Sequence, residues 1–210
     1  MIRLDIFSDP ICPWCHIGKA GLDSAMEARP EHPFAVEWHP FMLNPDMPPE
    51  GMDRRAYLEA KFGGKEGALK AMLPVQKAAE TAGITIDFAA QTRVPSTVDA
   101  HRLIHWAGLE GRQNAVVSGL FRAYFAEGAD IGSHEVLTRI AGASGLDAAM
   151  IGRLLEGDGD IAEIRARDAE IRARGLRGVP AFIIAGQHVL HGAQPREVWL
   201  QVIDELAGQA

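Results

Sequence analysis

The chain has 210 residues, of which 47% are hydrophobic and 23% are charged, and its formal net charge at pH 7 is -7. This length allows a hydrophobic core that needs no disulfide staples, and an acidic balance of this kind argues against a nucleic-acid-binding surface. No stretch reaches the length of a membrane span or has the pattern of a secretory leader. We therefore expect no nucleic-acid or membrane partner and a cytoplasmic location, where paired cysteines more often serve catalysis or metal binding than structure.

The first fifty residues predict a βαβ unit. Alternating apolar residues indicate a strand over 2–7 and a second strand over 34–38. Between them, Pro13 is a residue favoured in the first turn of a helix, which makes Cys12 the predicted N-cap of a helix that runs to residue 26. A loop rich in proline and methionine, at 41–51, then leads away from this unit.

The following stretch of more than a hundred residues is predicted to be helical. Ser96 and Asp99 have the spacing of a capping box for one of its helices. Strand patterning returns only at 181–191, around a turn predicted at Gly186 and Gln187, and a closing helix follows. The predicted order is therefore β-α-β, then a helical block, then β-β-α.

The only two cysteines of the chain form the sequence CPWC. With Cys12 at the N-cap, Cys15 lies one turn along on the same side, close enough for a disulfide. The helix N-terminus favours the thiolate form of Cys12, the attacking sulfur in this interpretation, while a more buried Cys15 resolves the mixed disulfide. A buried core pair is less favoured because such a helix end is an exposed edge, and a zinc site would need two further ligands.

Five segments together carry a resemblance to a known family. These segments are SDPICPWCHIG at 8–18, FMLNP at 41–45, STVDAHRLIHWA at 96–107, LFRAYFAEGADI at 120–131 and GVPAFIIAGQHVLHGAQP at 178–195. The chain resembles the DsbA-like branch of the thioredoxin superfamily, most closely its cytoplasmic FrnE-type members. The resemblance implies an α/β thioredoxin fold (β-α-β … β-β-α) with a large all-helical insertion. The thioredoxin-like domain would comprise 1–48 and 177–210, and the inserted helical domain 49–176.

The same resemblance implies a thiol-disulfide oxidoreductase that oxidises, reduces or isomerises disulfides. Pro180 is then the cis-proline that faces the cysteines, although the sequence alone gives such a bond only about a 5% chance of being cis. Val179 would offer backbone groups to a bound polypeptide, and Phe41 and Leu43 would line the groove beside the cysteines. Expected partners are cysteine-containing polypeptides or low-molecular-weight thiols, with no tightly bound cofactor and with glutathione as a redox partner.

Two other functions stay open. The glutathione-dependent 2-hydroxychromene-2-carboxylate isomerases and kappa-class transferases are similar, but they carry serine where this chain has Cys12, and they tend to carry an acidic residue near the position of Pro195. The third hypothesis is a non-enzymatic redox-sensing binding module. The direction of electron flow is also open. If the reduction potential of the pair were about -120 mV, a cytosolic pool at about -250 mV would favour the dithiol over the disulfide by about four orders of magnitude.

Three neighbours of the sulfurs are candidate tuning residues. Pro13 and Trp14 separate the two cysteines, and Trp14 would tune the redox pair or contribute to the substrate surface. His16 follows Cys15 directly. It would either stabilise a thiolate and move a proton, or face solvent, and both interpretations stay open.

Outside the CPWC segment, two features have plainer explanations. His101 and His105 lie four residues apart, but Arg102 occupies the position where a metalloprotease would need glutamate. We therefore interpret both histidines as helix-face residues that support the insertion, and we predict no metal site. The arginines between residues 165 and 177 alternate with acids and are predicted to form a solvated helix face.

Overall fold

Six strands, nine α-helices and one π-helical turn make up the described part of the chain. The computed structural model describes residues 1–208; positions 209 and 210, which the predicted C-terminal segment includes, lie outside the described residues. In chain order the elements are β1 (Ile2–Ser8), α1 (Pro13–Ala28), β2 (Phe34–Pro40), β3 (Met52–Asp53), α2 (Arg54–Phe62), α3 (Lys65–Thr81), β4 (Arg93–Val94), α4 (Val98–Leu109), α5 (Gln113–Phe121), the π-helical turn (Arg122–Ala126), α6 (His134–Ala143), α7 (Ala148–Glu156), α8 (Ile161–Ala173), β5 (Ala181–Ile184), β6 (His188–His191) and α9 (Arg196–Ala207).

The strands from the two ends of the chain form one four-stranded sheet. Its order is β2-β1-β5-β6, with β1 parallel to β2 and antiparallel to β5. Ile6 on β1 pairs with Trp38 on one side and Phe182 on the other, and all three are buried. The predicted β-α-β … β-β-α arrangement with a helical insertion is confirmed.

The hairpin turn between β5 and β6 lies one residue earlier than predicted. Ala185 and Gly186 occupy its two central positions with φ of 53° and 70°, and the amide of Gln187 donates to the carbonyl of Ile184 at 3.1 Å. This four-residue turn, which includes the three-residue loop between the paired Ile184 and His188, needs positive φ at both central positions. Gly186 therefore fits the second of these positions rather than the first.

Helices α1 and α9 pack together on one face of the sheet. A Cβ added at Gly21 would lie 2.5 Å from the carbonyl oxygen of Gln194, so the absence of a side chain permits the close approach of the segment that starts α9. Trp199 of α9 is fully buried and packs edge-on against Phe182, with ring centres 4.8 Å apart. This packing holds α1, and with it the CPWC segment, in a defined position on the sheet.

Arg102 holds the insertion together from within α4. Its side chain is 1% exposed and its guanidinium donates to the carboxylate of Asp99 and to the carbonyls of Leu154, Gly157 and Gly159, at 2.7 to 2.8 Å. A buried cation is tolerated when its donors are satisfied in this way. The arginine noted above only as a departure from a metalloprotease motif is thus a structural centre of the helical block.

Two details of the insertion differ from the predictions. The insertion is not purely helical, because the short strands β3 and β4 pair antiparallel within it. The prediction of a capping box at Ser96 is wrong. The N-cap of α4 is Thr97, which makes no side-chain capping hydrogen bond, and the carboxylate of Asp99 binds Arg102 instead. The buried guanidinium competes for the acid that the local sequence pattern assigned to the helix end.

The arginines around α8 are not all solvated, which corrects the prediction of a solvent-facing run. Arg172 donates to the carbonyl of Met42 and to the carboxylate of Asp168, and its guanidinium lies 3.9 Å from the ring centre of Phe41. Arg167 reaches the ring nitrogens of two histidines. Long side chains can bury their stems against apolar surface, so charge alternation along a helix does not establish which arginines point outward.

The apolar core runs from the sheet into the insertion. One cluster of buried side chains includes Leu4 and Ile6 of β1 together with Leu103 of α4 and Leu120 of α5. The domain boundaries at 48/49 and 176/177 stay a prediction. Within residues 1–208, no helix has both the length and the apolar character needed to cross a membrane.

Candidate active site

The CPWC segment lies at the end of β1 and starts α1. Cys12 is the N-cap with extended backbone (φ -86°, ψ 113°), Pro13 begins the helix, and the Cys12 carbonyl accepts from the amides of Cys15 and His16 at 3.0 and 3.3 Å. The Cys12 side chain makes no capping hydrogen bond. Its thiol donates instead to the carbonyl of Val179 at 3.7 Å, so the two chain segments meet at this sulfur.

Both cysteines are free thiols and both are buried. Cys12 is 3% exposed and Cys15 is 1% exposed, so the expectation that this helix end is an exposed edge is wrong. The insertion covers the edge, because its helices close over a cavity that Cys12 lines. Burial raises the pKa of the Cys15 thiol well above its ordinary value, and the hydrogen bond and charge of Cys12 raise it further. Cys15 is therefore protonated in the reduced pair at neutral pH.

The segment opposite the cysteines contains the proline that the resemblance predicted to be cis. The peptide bond between Val179 and Pro180 is cis. The Val179 carbonyl faces the Cys12 sulfur, and both residues line the same cavity, whereas Pro180 borders a more open depression on the surface. Trp14, at 37% exposed, is the partly solvated member of CPWC and lies at the cavity wall with Pro13.

A cavity of about 380 Å³ lies between the CPWC segment and the insertion. This volume is within the range of small-molecule sites. Its wall is mostly apolar and aromatic, with contributions from both parts of the chain. The lining residues are Ile11, Cys12, Pro13, Trp14, Leu43, Arg54, Tyr57, Leu58, Lys61, Phe62, Ala71, Met72, Val75, Phe88, Gln91, Val94, Tyr124, Phe125, Gly178 and Val179.

Of the two residues predicted to line a groove beside the cysteines, one lies at the cavity and the other does not. Leu43 forms part of the cavity wall. Phe41 is 2% exposed and packs with Leu176 and Ala181 beneath the guanidinium of Arg172, so it is not a wall residue. The chain after β2 is covered by α8 before it reaches the cavity. Phe41 therefore packs against Arg172 of α8 and not at the cavity wall.

His16 is a partly buried histidine. Its ring stacks on Phe121 and Phe125, with ring centres 5.0 and 5.3 Å apart, so the interpretation as a solvent-facing residue is wrong. Burial lowers the pKa of His16 to about 4, and the charge of Lys19 lowers it further. A neutral imidazole at pH 7 places no positive charge beside the sulfurs. Its buried Nδ1 has no hydrogen-bond partner among the described residues.

Asp9 is a buried acid that the sequence reasoning did not single out. It is fully buried, and its carboxylate accepts from the amides of Ile11 at 3.3 Å and Leu43 at 2.6 Å. Burial raises the pKa of Asp9 to about 7, although these amides act in the opposite direction. Asp9 thereby joins the loop before Cys12 to the segment that lines the cavity. The available signal was an acid placed directly between a buried strand and the cysteine loop.

His101 and His105 face different surroundings on α4. His101 is 2% exposed, its Nε2 lies 4.0 Å from the Asp9 carboxylate, and burial lowers its pKa to about 4. His105 groups with Asp160 and Glu163 at a spacing that could hold a cation. Arg167, however, donates to Nδ1 of His105 at 3.1 Å, which leaves the proton on Nε2 and takes that nitrogen away from a metal.

A second cluster with acidic residues lies on β1 and β2, and Arg167 joins it to the first. Asp5, Glu37 and His39 also have ligand atoms close enough for a cation. Arg167 donates to Nδ1 of His39 at 3.0 Å, and Nε2 of His39 is 2.6 Å from Asp5. The imidazole therefore joins an arginine to a carboxylate in a hydrogen-bonded chain, and neither ring nitrogen is free for a metal.

Comparison with known proteins agrees with this architecture. The family of DSBA-like thioredoxin domains matches residues 3–204. The protein YwbO of Bacillus subtilis is 28% identical over 206 residues, which are 97% of this chain and 96% of that protein. The crystal structure of the probable DsbA oxidoreductase SCO1869 from Streptomyces coelicolor has a TM-score of 0.87 at 30% identity and covers 100% of this chain and 92% of its own.

A more distant structure shows how widely this fold is shared. The cytosolic disulfide reductase DsbM from Pseudomonas aeruginosa, solved with GSH, has a TM-score of 0.71 at 21% identity, covering 98% of this chain and 99% of its own. That likeness is one of fold. The family match spans both the sheet and the insertion, and it includes the cysteine pair and the cis-proline segment. This chain therefore belongs to the family of DSBA-like thioredoxin domains.

Proposed function

We propose that this protein is a thiol-disulfide oxidoreductase that uses Cys12 and Cys15 as a redox dithiol. The observation that carries the proposal is the placement of Cys12: its sulfur lies at a helix N-terminus, at the wall of a cavity, and 3.7 Å from the Val179 carbonyl beside Pro180. A helix N-terminus stabilises a thiolate, and the cavity provides room for the disulfide it attacks.

The two sulfurs act in a defined order in the reducing direction. The Cys12 thiolate attacks one sulfur of a substrate disulfide, forms a mixed disulfide and expels the other substrate sulfur as a thiolate. The negative charge on Cys12 disappears in that step, and with it one cause of the raised pKa of Cys15. Cys15 then loses its proton, attacks the Cys12 sulfur and releases the second substrate thiolate. In the oxidising direction the same bonds form and break in reverse.

The partners that fit this chemistry are cysteine-containing polypeptides and low-molecular-weight thiols, with glutathione as a redox partner and no tightly bound cofactor. One observation supports each class of partner. The Val179 carbonyl and the depression around Pro180 could receive an extended polypeptide. The cavity beside Cys12 has the volume of a small-molecule site. A cytoplasmic location is part of this proposal, and disulfide oxidation, reduction and isomerisation are the reactions that it covers.

The deciding experiment is the equilibrium between protein dithiol and disulfide in glutathione buffers, run together with insulin reduction. We expect a defined two-electron potential for the parent protein and loss of activity in Cys12→Ser. Cys15→Ser should accumulate a mixed disulfide with glutathione on Cys12, which mass spectrometry assigns without ambiguity because the chain has two cysteines. The proposal is wrong if no Cys12-Cys15 disulfide forms, or if Cys12→Ser keeps full insulin reduction.

The second candidate is a glutathione-dependent isomerase or transferase that acts on a small aromatic molecule. The aromatic lining of the cavity beside Cys12, which includes Tyr57, Phe88 and Phe125, favours it. Such an enzyme activates glutathione without forming a protein disulfide. Retained glutathione-dependent turnover in Cys15→Ser, together with no disulfide in the parent protein, would favour this function over the dithiol reaction.

A further inference from the structure

The cavity beside Cys12 is positively charged in an acidic protein. The chain has 28 acidic and 21 basic residues, yet two cations and no aspartate or glutamate line the cavity in residues 1–208. The two cations are Arg54 and Lys61 of α2. They line the same cavity as Cys12, Pro13 and Trp14, and they belong to the insertion.

Neither cation has a carboxylate partner in the described part of the chain. Arg54 donates only a long hydrogen bond, 3.4 Å, to the carbonyl of Phe88, and its guanidinium lies 5.3 Å from the Phe88 ring centre. Lys61 donates to the hydroxyl of Tyr57 at 2.7 Å. On the outer face of the same helix, Arg55 is paired with Glu59 at 2.8 Å. Unlike Arg55, the two cavity cations are therefore not neutralised by a carboxylate. Burial lowers the pKa of Arg54, which agrees with the incomplete solvation of its guanidinium.

The remaining wall of the cavity suits an apolar group. Leu58, Met72, Val75 and Phe88 supply aliphatic and aromatic surface. A dry cavity of about 150 Å³ is enough for benzene, so about 380 Å³ accommodates a substituted aromatic ring or a group of similar size. An anionic group on such a ring could reach the cations while its sulfur approaches Cys12.

We propose that this cavity selects small disulfides and thiols that combine an apolar body with an anionic group, which Arg54 and Lys61 bind while Cys12 reacts with the sulfur. The inference rests on the proposed dithiol function and names its substrate class. With a symmetrical disulfide RSSR, Cys12 and the first sulfur form the mixed disulfide and one RS⁻ leaves. Cys15 then displaces the second RS⁻, so RSSR gains two electrons and the protein dithiol loses two electrons and two protons.

The test compares two aromatic disulfides whose released thiols are coloured. Dithiobis(nitrobenzoate) carries a carboxylate on each ring, and dithiodipyridine is neutral near pH 7. Pre-reduced protein, freed of reductant, is mixed with each probe in a stopped-flow instrument, and the ratio of the two single-turnover rates is the readout. This ratio cancels changes in the reactivity of Cys12 itself.

The variants are Lys61→Met, the double variant Arg54→Met with Lys61→Met, and Arg55→Met as the matched control on the same helix. We expect the ratio of the anionic to the neutral probe to fall about tenfold in the double variant, about 1.4 kcal/mol, with an intermediate fall in Lys61→Met. Arg55→Met should keep the parent ratio, which separates cavity binding from general charge steering. Thermal unfolding of each variant checks that the fold is intact.

Two results would overturn the inference. An unchanged ratio in the double variant would show that the cations do not contact the probe, and an equal fall in Arg55→Met would assign the effect to overall charge. Failure of the dithiol function itself gives a different result, because neither probe would then generate a Cys12-Cys15 disulfide. Insulin reduction measured on the same samples reports whether polypeptide turnover depends on these cations.

Discussion

At the scale of single residues, burial near the sulfurs controls which groups carry charge. The pKa of His16 and that of His101 are both lowered to about 4 by desolvation, so both imidazoles are neutral in the folded protein. The pKa of Asp9 is raised to about 7 by the same cause. Neither imidazole therefore places a positive charge near the cysteines at neutral pH.

The buried histidines predict acid destabilisation. Below a pKa of about 6.5 the unfolded chain binds a proton at each histidine, whereas the folded protein does not until about pH 4. Each histidine therefore removes up to about 1.4 kcal/mol per pH unit from the free energy of unfolding as the pH falls through this window. Asp9 acts oppositely: its folded pKa is raised from 3.8 to about 7, so its contribution to the free energy of unfolding is present below this window and is lost as the pH rises through it.

His16→Phe isolates one of these contributions. Phenylalanine keeps the stacking on Phe121 and Phe125 and removes a buried ring nitrogen that has no partner in the described residues. The slope of the unfolding free energy against pH between about 4 and 6.5 should fall by about one proton relative to the parent protein. Urea unfolding at a series of pH values measures this slope. An unaltered slope would contradict the neutral state of His16 in the folded protein.

At the scale of elements, the contact of α1 with the segment before α9 sets the position of the cysteine helix. Gly21 lies where any Cβ would meet the Gln194 carbonyl at 2.5 Å, whereas Gly152 in α7 has its nearest neighbour, the Thr138 hydroxyl, at 3.7 Å. Both glycines are helical, so they differ in packing rather than in backbone conformation.

This pair of glycines provides a matched test of the packing. Gly21→Ala should lower the free energy of unfolding by about 1–3 kcal/mol, because backbone has to move to admit the methyl group. Gly152→Ala should raise it by about 0.5–1 kcal/mol through helix propensity. Chemical denaturation of the two variants measures both values. Equal effects of the two substitutions would mean that α1 can shift relative to α9 without cost.

At the scale of the whole molecule, α8 joins the insertion to the chain that leads from β2 to the cavity. Asp168 is buried, accepts from the amide of Met42 at 2.7 Å and pairs with Arg172 at 2.8 Å. Asp9 accepts from the next amide, that of Leu43. Two buried carboxylates, one from each part of the chain, thus hold the segment that follows Phe41.

Asp168→Asn tests this connection. Asparagine keeps the acceptor for Met42 but loses the ion pair with Arg172, so we expect the free energy of unfolding to fall by about 1–3 kcal/mol. Glu170→Gln, two residues along the same helix, is the control. It removes an exposed ion pair with Arg174 and should change the free energy of unfolding by less than about 1 kcal/mol. Similar losses in both variants would show that the buried pair does not hold α8 to the core.

Local patterns predicted the parts of the fold that depend on neighbouring residues. The four strands of the main sheet and the helix start at Cys12 and Pro13 follow from short-range periodicity and proline placement. The same local reasoning failed at Asp99, where Arg102 competes for the carboxylate, and the resemblance did not place Phe41, which packs against Arg172 of α8. Both outcomes depend on distant segments, because the carbonyls of Leu154, Gly157 and Gly159 hold the Arg102 guanidinium and α8 covers Phe41.

By itself, the sequence determined the β-α-β … β-β-α order, the helical insertion and the position of the cysteine pair at a helix N-terminus, because periodicity, proline placement and motif spacing are properties of neighbouring residues. Only the tertiary structure decided that Cys12 is buried against Val179, that His16 stacks on two aromatic rings and that Arg54 and Lys61 line the same cavity as Cys12. The physical reason is that burial and charge pairing depend on which distant segments come into contact, and those contacts exist only in the folded chain.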